Sequence, residues 1–339
     1  MAPVTMSDVA RVAGVSVMTV SNVVNGRPRV SAETRLRVLE VVADLGYEVN
    51  LTAKRLRAGR TGTVALVVPR FDHPYFGELA GRFATLLGEK GLHLAVEQSG
   101  ASREGELSAV SHARLHMYDG VILSVVGLHY DDVDRLRTDL PIVLLGEQVV
   151  PERFDHVMMA NVEGARLATA HLLERGSRRV AMAGGTPSGP STGASELRSE
   201  GWRAAHRDAG LEPPEDLLVP MPDLEAATAH RVVAEALAGA RERGALPDAV
   251  FAVTDQVSLG VRAALHDAGL RVPQDVRLIG FDDLGLVQHV PPGLSSVDPH
   301  NGWIVERASD LLLRRIAGST EPPQHLVAPV SVVARASTA

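Results

Sequence analysis

The strongest constraint on the fold is a repeated pattern that begins at Thr63. Short continuous apolar runs alternate with amphipathic helical stretches: Val64–Pro69, Leu92–Glu97, Gly120–Val125, Pro141–Gly146, Arg179–Gly184, Ala249–Asp255 and Val276–Asp282. Uninterrupted apolar strands with helices between them are buried on both faces, which is the signature of parallel sheets in α/β layers. Seven such runs are too many for one compact subdomain, so the pattern predicts two successive doubly wound units. In such sheets ligands bind outside the carboxyl ends of the strands, and polar residues just after each run become the candidate site.

The first 60 residues read differently. They carry nine Arg and Lys against five Asp and Glu, a net +4, which leaves −11 on the remainder of a chain whose total is −7. A basic head on an acidic body points to a polyanion-binding module joined to something else. Three short helices fit the head. Thr5 caps the first with Asp8 as its capping-box partner, and Val9, Val12 and Ala13 form its apolar face. Gly14 makes the turn. Ser16 caps a second helix from Val17 to about Asn25, in which Val20, Val23 and Val24 face inward and Val17, Met18, Ser21 and Asn22 face out. Ser31 caps a third, with Leu36, Leu39, Val42, Ala43 and Leu45 as its core stripe. Two short helices about a glycine turn, followed by a third, make a helix-turn-helix domain, with the hydroxyls of Ser16, Thr19 and Ser21 placed to meet phosphates.

Enzyme and export signals fail. Gly184-Gly185-Thr186-Pro187-Ser188-Gly189 has the length of a phosphate loop, but Pro190 follows where Lys must stand before Ser191. His112 and His116 have metal spacing without a third ligand, so no metal and no cofactor is expected. With no cysteine, disulfides and thiolate chemistry are excluded. The N-terminus lacks a signal-peptide pattern, and no apolar run is long enough to span a membrane, so a cytoplasmic protein without membrane partners is expected.

Residues 4–60 resemble the DNA-binding headpiece of the LacI/GalR (lactose repressor) family. The match is carried by Val4-Thr5, Asp8-Val9-Ala10, Ala13-Gly14-Val15-Ser16, Thr19-Val20-Ser21, Val24-Asn25-Gly26, Val30-Ser31, Thr34-Arg35, Leu45-Gly46-Tyr47 and Asn50. The resemblance puts Val17, Met18 and Asn22 on the base-reading face. Asn in place of the frequent Arg favours adenine over guanine. Thr5, Ser16, Thr19, Ser21, Asn25, Asn50 and Lys54 join the DNA-contacting set. Residues 50–61 then resemble the hinge helix, with Ala53 and Leu56 entering the minor groove and Leu56 as the wedge that bends the duplex.

The body resembles the effector-binding and dimerisation core of the same family, itself similar to periplasmic sugar-binding proteins. The carrying segments are Pro74-Tyr75-Phe76, His171 to Gly176, Arg198 with Gly201-Trp202, Thr254-Asp255-Gln256, Val272 to Val276, Gly280-Phe281-Asp282-Asp283, Leu294 to Val297 and Arg335 to Thr338. The implied organisation is a headpiece at 1–49, a hinge at 50–61 and a core at 62–339. The core would have an N-terminal lobe of about 62–160 plus 292–321 and a C-terminal lobe of about 161–291 plus 322–339, joined by three crossovers. Arg198 and Asp282 lead the effector site, with Asp72, Tyr75, Phe76, Glu147, Thr254 and Asp255 beside them. Trp202 is read as core. Glu147, Ala160-Asn161 and Thr254 depart from the frequent Asp, Asp-Asn and Asn of relatives. Those departures leave open an alternative, a DNA-binding regulator with no small-molecule response. The reading is therefore a homodimeric repressor on a pseudo-palindromic double-stranded DNA operator, controlled by a carbohydrate effector in the cleft.

Overall fold

In the computed structural model the described residues are 4–24, 27–28, 30–47, 60–111, 117–135, 140–147, 151–187 and 193–339. The chain divides into two compact units, Met1–Thr61 and Gly62–Ala339.

The first unit contains α1 (Met6–Ala13), α2 (Val17–Val24) and α3 (Ala32–Leu45). The helices are short, so their ends matter. Thr5 and Asp8 form a reciprocal capping box, with the Asp8 N–H donating to Thr5 Oγ1 at 3.3 Å and the Thr5 N–H donating to the Asp8 carboxylate at 3.0 Å. Gly14 ends α1 at φ 67°, a left-handed conformation that costs a side-chain-bearing residue energy. Ser16 Oγ accepts the Thr19 N–H at 3.1 Å, and Ser31 Oγ accepts that of Thr34 at 3.3 Å. Val9, Ala10, Ala13, Val20, Val23, Val38 and Tyr47 fill the core.

Two details of the expected core are corrected. Val12 is 53% exposed, and Ala10 takes its place. On α3 the inward stripe is Val38, with Val41, Val42 and Leu45 packed beside it. Leu36 and Leu39 stand in solvent at 63% and 46%, and Ala43 is exposed. The helix carries two apolar stripes, and contact with α1 and α2 selects the one at i, i+3, i+4, i+7.

The second unit has two six-stranded sheets. One has the order β11-β5-β4-β3-β1-β2 and is parallel throughout. Its strands are β1 (Thr63–Val68), β2 (His93–Gln98), β3 (Gly120–Ser124), β4 (Ile142–Leu145), β5 (Asp155–Met158) and β11 (His325–Val327). Alternate side chains of β1 go to opposite faces. Val64, Leu66 and Val68 pack with α4 (Pro74–Glu89) and α11 (Asn301–Ile316). Ala65 and Val67 pack with α5 (Arg103–Ala109) and α6 (Tyr130–Arg135).

The other sheet has the order β12-β10-β9-β8-β6-β7, with β12 antiparallel to β10. Its strands are β6 (Val180–Ala183), β7 (Leu218–Val219), β8 (Ala249–Ala252), β9 (Arg277–Phe281), β10 (Ser295–Asp298) and β12 (Ser331–Val333). Around it pack α7 (Asn161–Glu174), α8 (Ala194–Asp208), α9 (Ala226–Glu242) and α10 (Asp255–Asp267). At the α7–α8 contact a Cβ on Gly201 would lie 2.1 Å from the Val162 carbonyl oxygen, so the glycine sets how closely the helices meet. Trp202 is fully buried, its Nε1–H donating to the Val180 carbonyl at 3.1 Å.

The chain passes between sheets three times: from β5 to α7, from β10 to α11, and from β11 to β12. This shifts two of the expected lobe boundaries. β10 belongs to the second sheet although 292–321 was expected in the first lobe. β11 belongs to the first although 322–339 was expected in the second. Both strands are short and partly polar, so hydrogen-bond pairing rather than hydropathy decides their sheet.

Candidate functional site

On the first unit, α2 offers Val17 at 45% and Met18 at 68% exposure, both apolar, while Val20 and Val23 hold the helix to its core. Adjacent exposed apolar side chains on a capped helix form a contact surface, and thymine methyl groups are suitable partners. Asn22 and Ser21 are half-buried on the same helix. Several expected contacts have prior duties. Thr5 caps α1, and the Ser16 hydroxyl bonds Thr19 Oγ1 at 2.9 Å. Asn25, Asn50, Ala53, Lys54 and Leu56 lie outside the described residues, as do His112 and His116.

In the second unit, the carboxyl ends of the parallel strands bring together residues far apart in sequence. Arg198, on the first turns of α8, is 3% exposed. Its Nε–H donates to Asn161 Oδ1 at 2.7 Å, and its Nη1 donates to the Val253 carbonyl and stands 3.6 Å from Asp282 Oδ1. The guanidinium lies over the Phe281 ring, 3.6 Å from its centroid. Asn161 Nδ2–H in turn donates to Glu147 Oε1 at 3.1 Å. Glu147, Asn161, Arg198 and Asp282 thus form one polar chain running from the end of β4 in the first sheet to the end of β9 in the second.

Burial raises the Asp282 carboxyl above its ordinary pKa, the Arg198 charge opposes that rise, and Glu147 adds to it. Its backbone is held at φ 115°, and Asp283 follows at φ 48°. Neighbours from several elements hold this loop, among them Ser296, whose hydroxyl accepts the Asp283 N–H at 3.1 Å. Asp255 accepts the Leu284 N–H at 2.8 Å and the Ser296 hydroxyl at 2.7 Å. Arg335 pairs with Asp283 at 2.8 Å. Asn301 Nδ2–H reaches the Asp282 carbonyl at 3.4 Å. Asp255 is fully buried with its carboxyl raised, first by burial and then by the Asp282 charge. Thr254 Oγ1 accepts the Val257 N–H at 3.1 Å as the cap of α10. Both residues therefore shape the site from beneath.

Tyr75 packs against the apolar cores of both lobes and against Phe76, ring centroids 5.0 Å apart. Burial, with Asp282 and Glu147 nearby, raises its hydroxyl pKa and keeps it neutral. Asp72 is exposed and bound to Arg70, whose Nε–H donates to it at 2.8 Å. Four further residues belong to this region: Asn161, His73, Gln256 and Asn301. Asn161 sits in the departing Ala160-Asn161 pair, which was its signal. The other three carry buried polar atoms without a partner, His73 Nδ1, Gln256 Oε1 and Asn301 Oδ1. Burial, then the Arg70 and Arg198 charges, lowers the His73 pKa and keeps that ring neutral. The region offers hydroxyl-binding groups of both polarities next to aromatic faces. A separate cavity of about 360 Å³ under α9, lined by Ala181, Leu218, Val233 and Leu237 among others, contains none of these residues.

Residues 5–50 match the model of bacterial regulatory proteins of the lacI family, and residues 169–338 match that of a periplasmic binding protein-like domain. The HTH-type transcriptional regulator CelR of Thermobifida fusca is 35% identical over 98% of each chain. The chain belongs to the LacI family of bacterial transcription regulators. A solved CelR–cellobiose complex matches with a TM-score of 0.70 at 32% identity, covering 98% of this chain and 99% of that one. The Lac repressor dimer bound to operator and the anti-inducer ONPF matches at 0.80 and 26% identity, covering 99% of both. The chain is thus a DNA-binding transcription regulator with a helix-turn-helix head and a periplasmic-binding-protein-like core, and its relatives are regulators rather than enzymes. Among the described residues no three His, Asp or Glu are grouped to hold a metal, and no helix is long and apolar enough to cross a membrane.

Proposed function

We propose that this LacI-family regulator is a cytoplasmic homodimeric repressor whose hold on a pseudo-palindromic operator is set by a neutral carbohydrate bound between the lobes. The observation that carries the reading is the Glu147–Asn161–Arg198–Asp282 chain, which joins both sheets beside Tyr75 and Phe281. A polyol can exchange hydrogen bonds with the carboxylates and the guanidinium fork, and an aromatic ring can cover its apolar face. An anionic sugar fits poorly. Arg198 already faces Asp282 and donates to Asn161 and Val253, and Glu147 adds negative charge. The cellobiose held by the CelR relative makes a neutral disaccharide the first compound to try. On the DNA side, Val17, Met18 and Asn22 read the half-site, Leu56 is the wedge, and Asp255 and Thr254 support the effector site indirectly.

The test is calorimetric titration with cellobiose and with glucose 6-phosphate, paired with operator gel shifts. The reading expects saturable cellobiose binding that changes operator affinity, with no response to the phosphate. A preferential response to glucose 6-phosphate would overturn the neutral-ligand assignment. If neither these sugars nor a broader panel of neutral sugars bound, the alternative of a regulator without small-molecule response would take its place.

A further inference from the structure

Two polar contacts bridge the lobes away from the Glu147–Asp282 chain, and both start from residues 70–78. The first begins at Arg70, just beyond β1. Asp72 receives two hydrogen bonds from its guanidinium and so fixes its orientation. The remaining Nη1 reaches Glu225 Oε1 at 3.0 Å, on the residue preceding α9 of the other lobe. The other carboxylate oxygen of Glu225 accepts Gln256 Nε2–H at 2.6 Å, next to Asp255 in the first turn of α10. The second contact begins at Glu78 on α4, one turn beyond Tyr75. Its carboxylate accepts the backbone N–H of Gly285 at 2.9 Å, three residues beyond Asp282.

We propose that Arg70, Glu225 and Glu78 are positioning residues of the effector cleft, which hold the lobes closed across its mouth without touching the effector and thereby set its affinity. Both contacts exist only while the lobes are together, because each joins a residue of one lobe to a residue of the other. Separating the lobes would return both carboxylates and the guanidinium to water. The Arg70–Glu225 pair is exposed at 45% and 34%, so it is a modest interaction. A modest interaction is enough to bias an equilibrium between two lobe arrangements joined by three chain passages.

The experiment reads lobe separation directly, without sugar, so its outcome is independent of the effector's identity. The chain has no cysteine, and Glu104→Cys on α5 with Glu242→Cys on α9 accept nitroxide labels, one per lobe. Electron-electron double resonance then gives the distance distribution in full-length protein diluted with unlabelled chain. In Arg70→Ala and in Glu225→Ala the closed-to-open ratio should fall about two- to five-fold, as expected of an exposed pair. The double variant should fall no further than either single one, because the two residues act through one contact. Glu78→Ala should lower the ratio independently, and its effect should add to theirs. Melting temperature should stay unchanged in all four. Unchanged distance distributions, a fall in only one member of the Arg70–Glu225 pair, or full additivity within that pair would each overturn the proposal.

Discussion

On α2 the side chains offered for contact, Val17 and Met18, stand in water, whereas in the cleft Arg198 and Asp282 are buried and already bonded. The head leaves Val17 and Met18 exposed and spends its few internal interactions on caps and a seven-residue core. The cleft does the reverse. Its charged groups Arg198, Asp282 and Glu147 are held by partners from other elements, so a ligand that binds them must exchange existing bonds. A surface reader can therefore change specificity by single exposed substitutions with little loss of stability. A buried sensor cannot, because its binding groups are also part of what holds its lobes together.

The largest test of this contrast is Arg198→Ala. Removing one partner of a buried charged pair leaves Asp282 without its counter-charge, at a cost that approaches about 3–5 kcal/mol only at alkaline pH, where the carboxyl must be ionised. Thermal denaturation should show that loss, and calorimetry should show sugar binding abolished. Operator binding by the effector-free protein at low temperature should remain near normal, and its loss in a still-folded variant would break the division of labour. Next in size is a pair of changes on α2. Val20→Ala hollows a fully buried position, at about 1–3 kcal/mol of head stability. Met18→Ala should leave the melting curve alone and weaken operator binding by about 1–3 kcal/mol, measured by gel shift against the same site. A stability loss from Met18→Ala would mean that it is packed, not presented.

Acid should separate the two units by sign. In the head, Asp8 is lowered to about 2 by its hydrogen bonds to Thr5 and Arg11. Its contribution is present above the ordinary carboxylate value and is lost as pH falls toward 2. In the cleft, burial raises Asp282 and Asp255. The folded protein then holds protons that the unfolded chain has released, so stability falls as pH rises from the ordinary carboxylate range toward neutral. The difference between wild type and Asp282→Asn in urea unfolding should grow across that window, and a flat difference would contradict the raised carboxyl. Smallest of all, Thr5→Ala removes a cap and should cost the head about 1 kcal/mol by thermal melting.

The same contrast explains what could be read from residues alone. Caps, glycine turns and the outward Val17 and Met18 depend on neighbours within a few positions, so they were legible. All seven apolar runs became strands. β5, β10, β11 and β12 did not announce themselves, because their polar residues are made tolerable by distant partners, and β7 did not because it is only two residues long. Asp155 is held by Arg315, 160 residues away, and the Ser295 and Thr338 hydroxyls bond each other across 43. Arg198, Asp282, Glu147 and Tyr75 were named for the site by family position. The capping duty of Thr254 is local and was overlooked because the residue was placed by family position, whereas the loop-holding duty of Asp255 was not visible, since it is set by where the β9–β10 connection packs. Leu36 and Leu39 misled the core assignment because two apolar stripes share one helix.

The way residues 325–338 are used has a consequence for how the protein is made. β11 completes the first sheet, β12 completes the second, and Ser337 ties the Ser295 N–H to the Leu278 carbonyl. Both lobes stay unfinished until this stretch has been synthesised, whereas the head has all its core residues by Tyr47. Domains fold in the order in which they leave the ribosome. A nascent or prematurely terminated chain therefore completes its head long before its core, and messages truncated upstream of residue 325 would yield a folded head on two unfinished sheets.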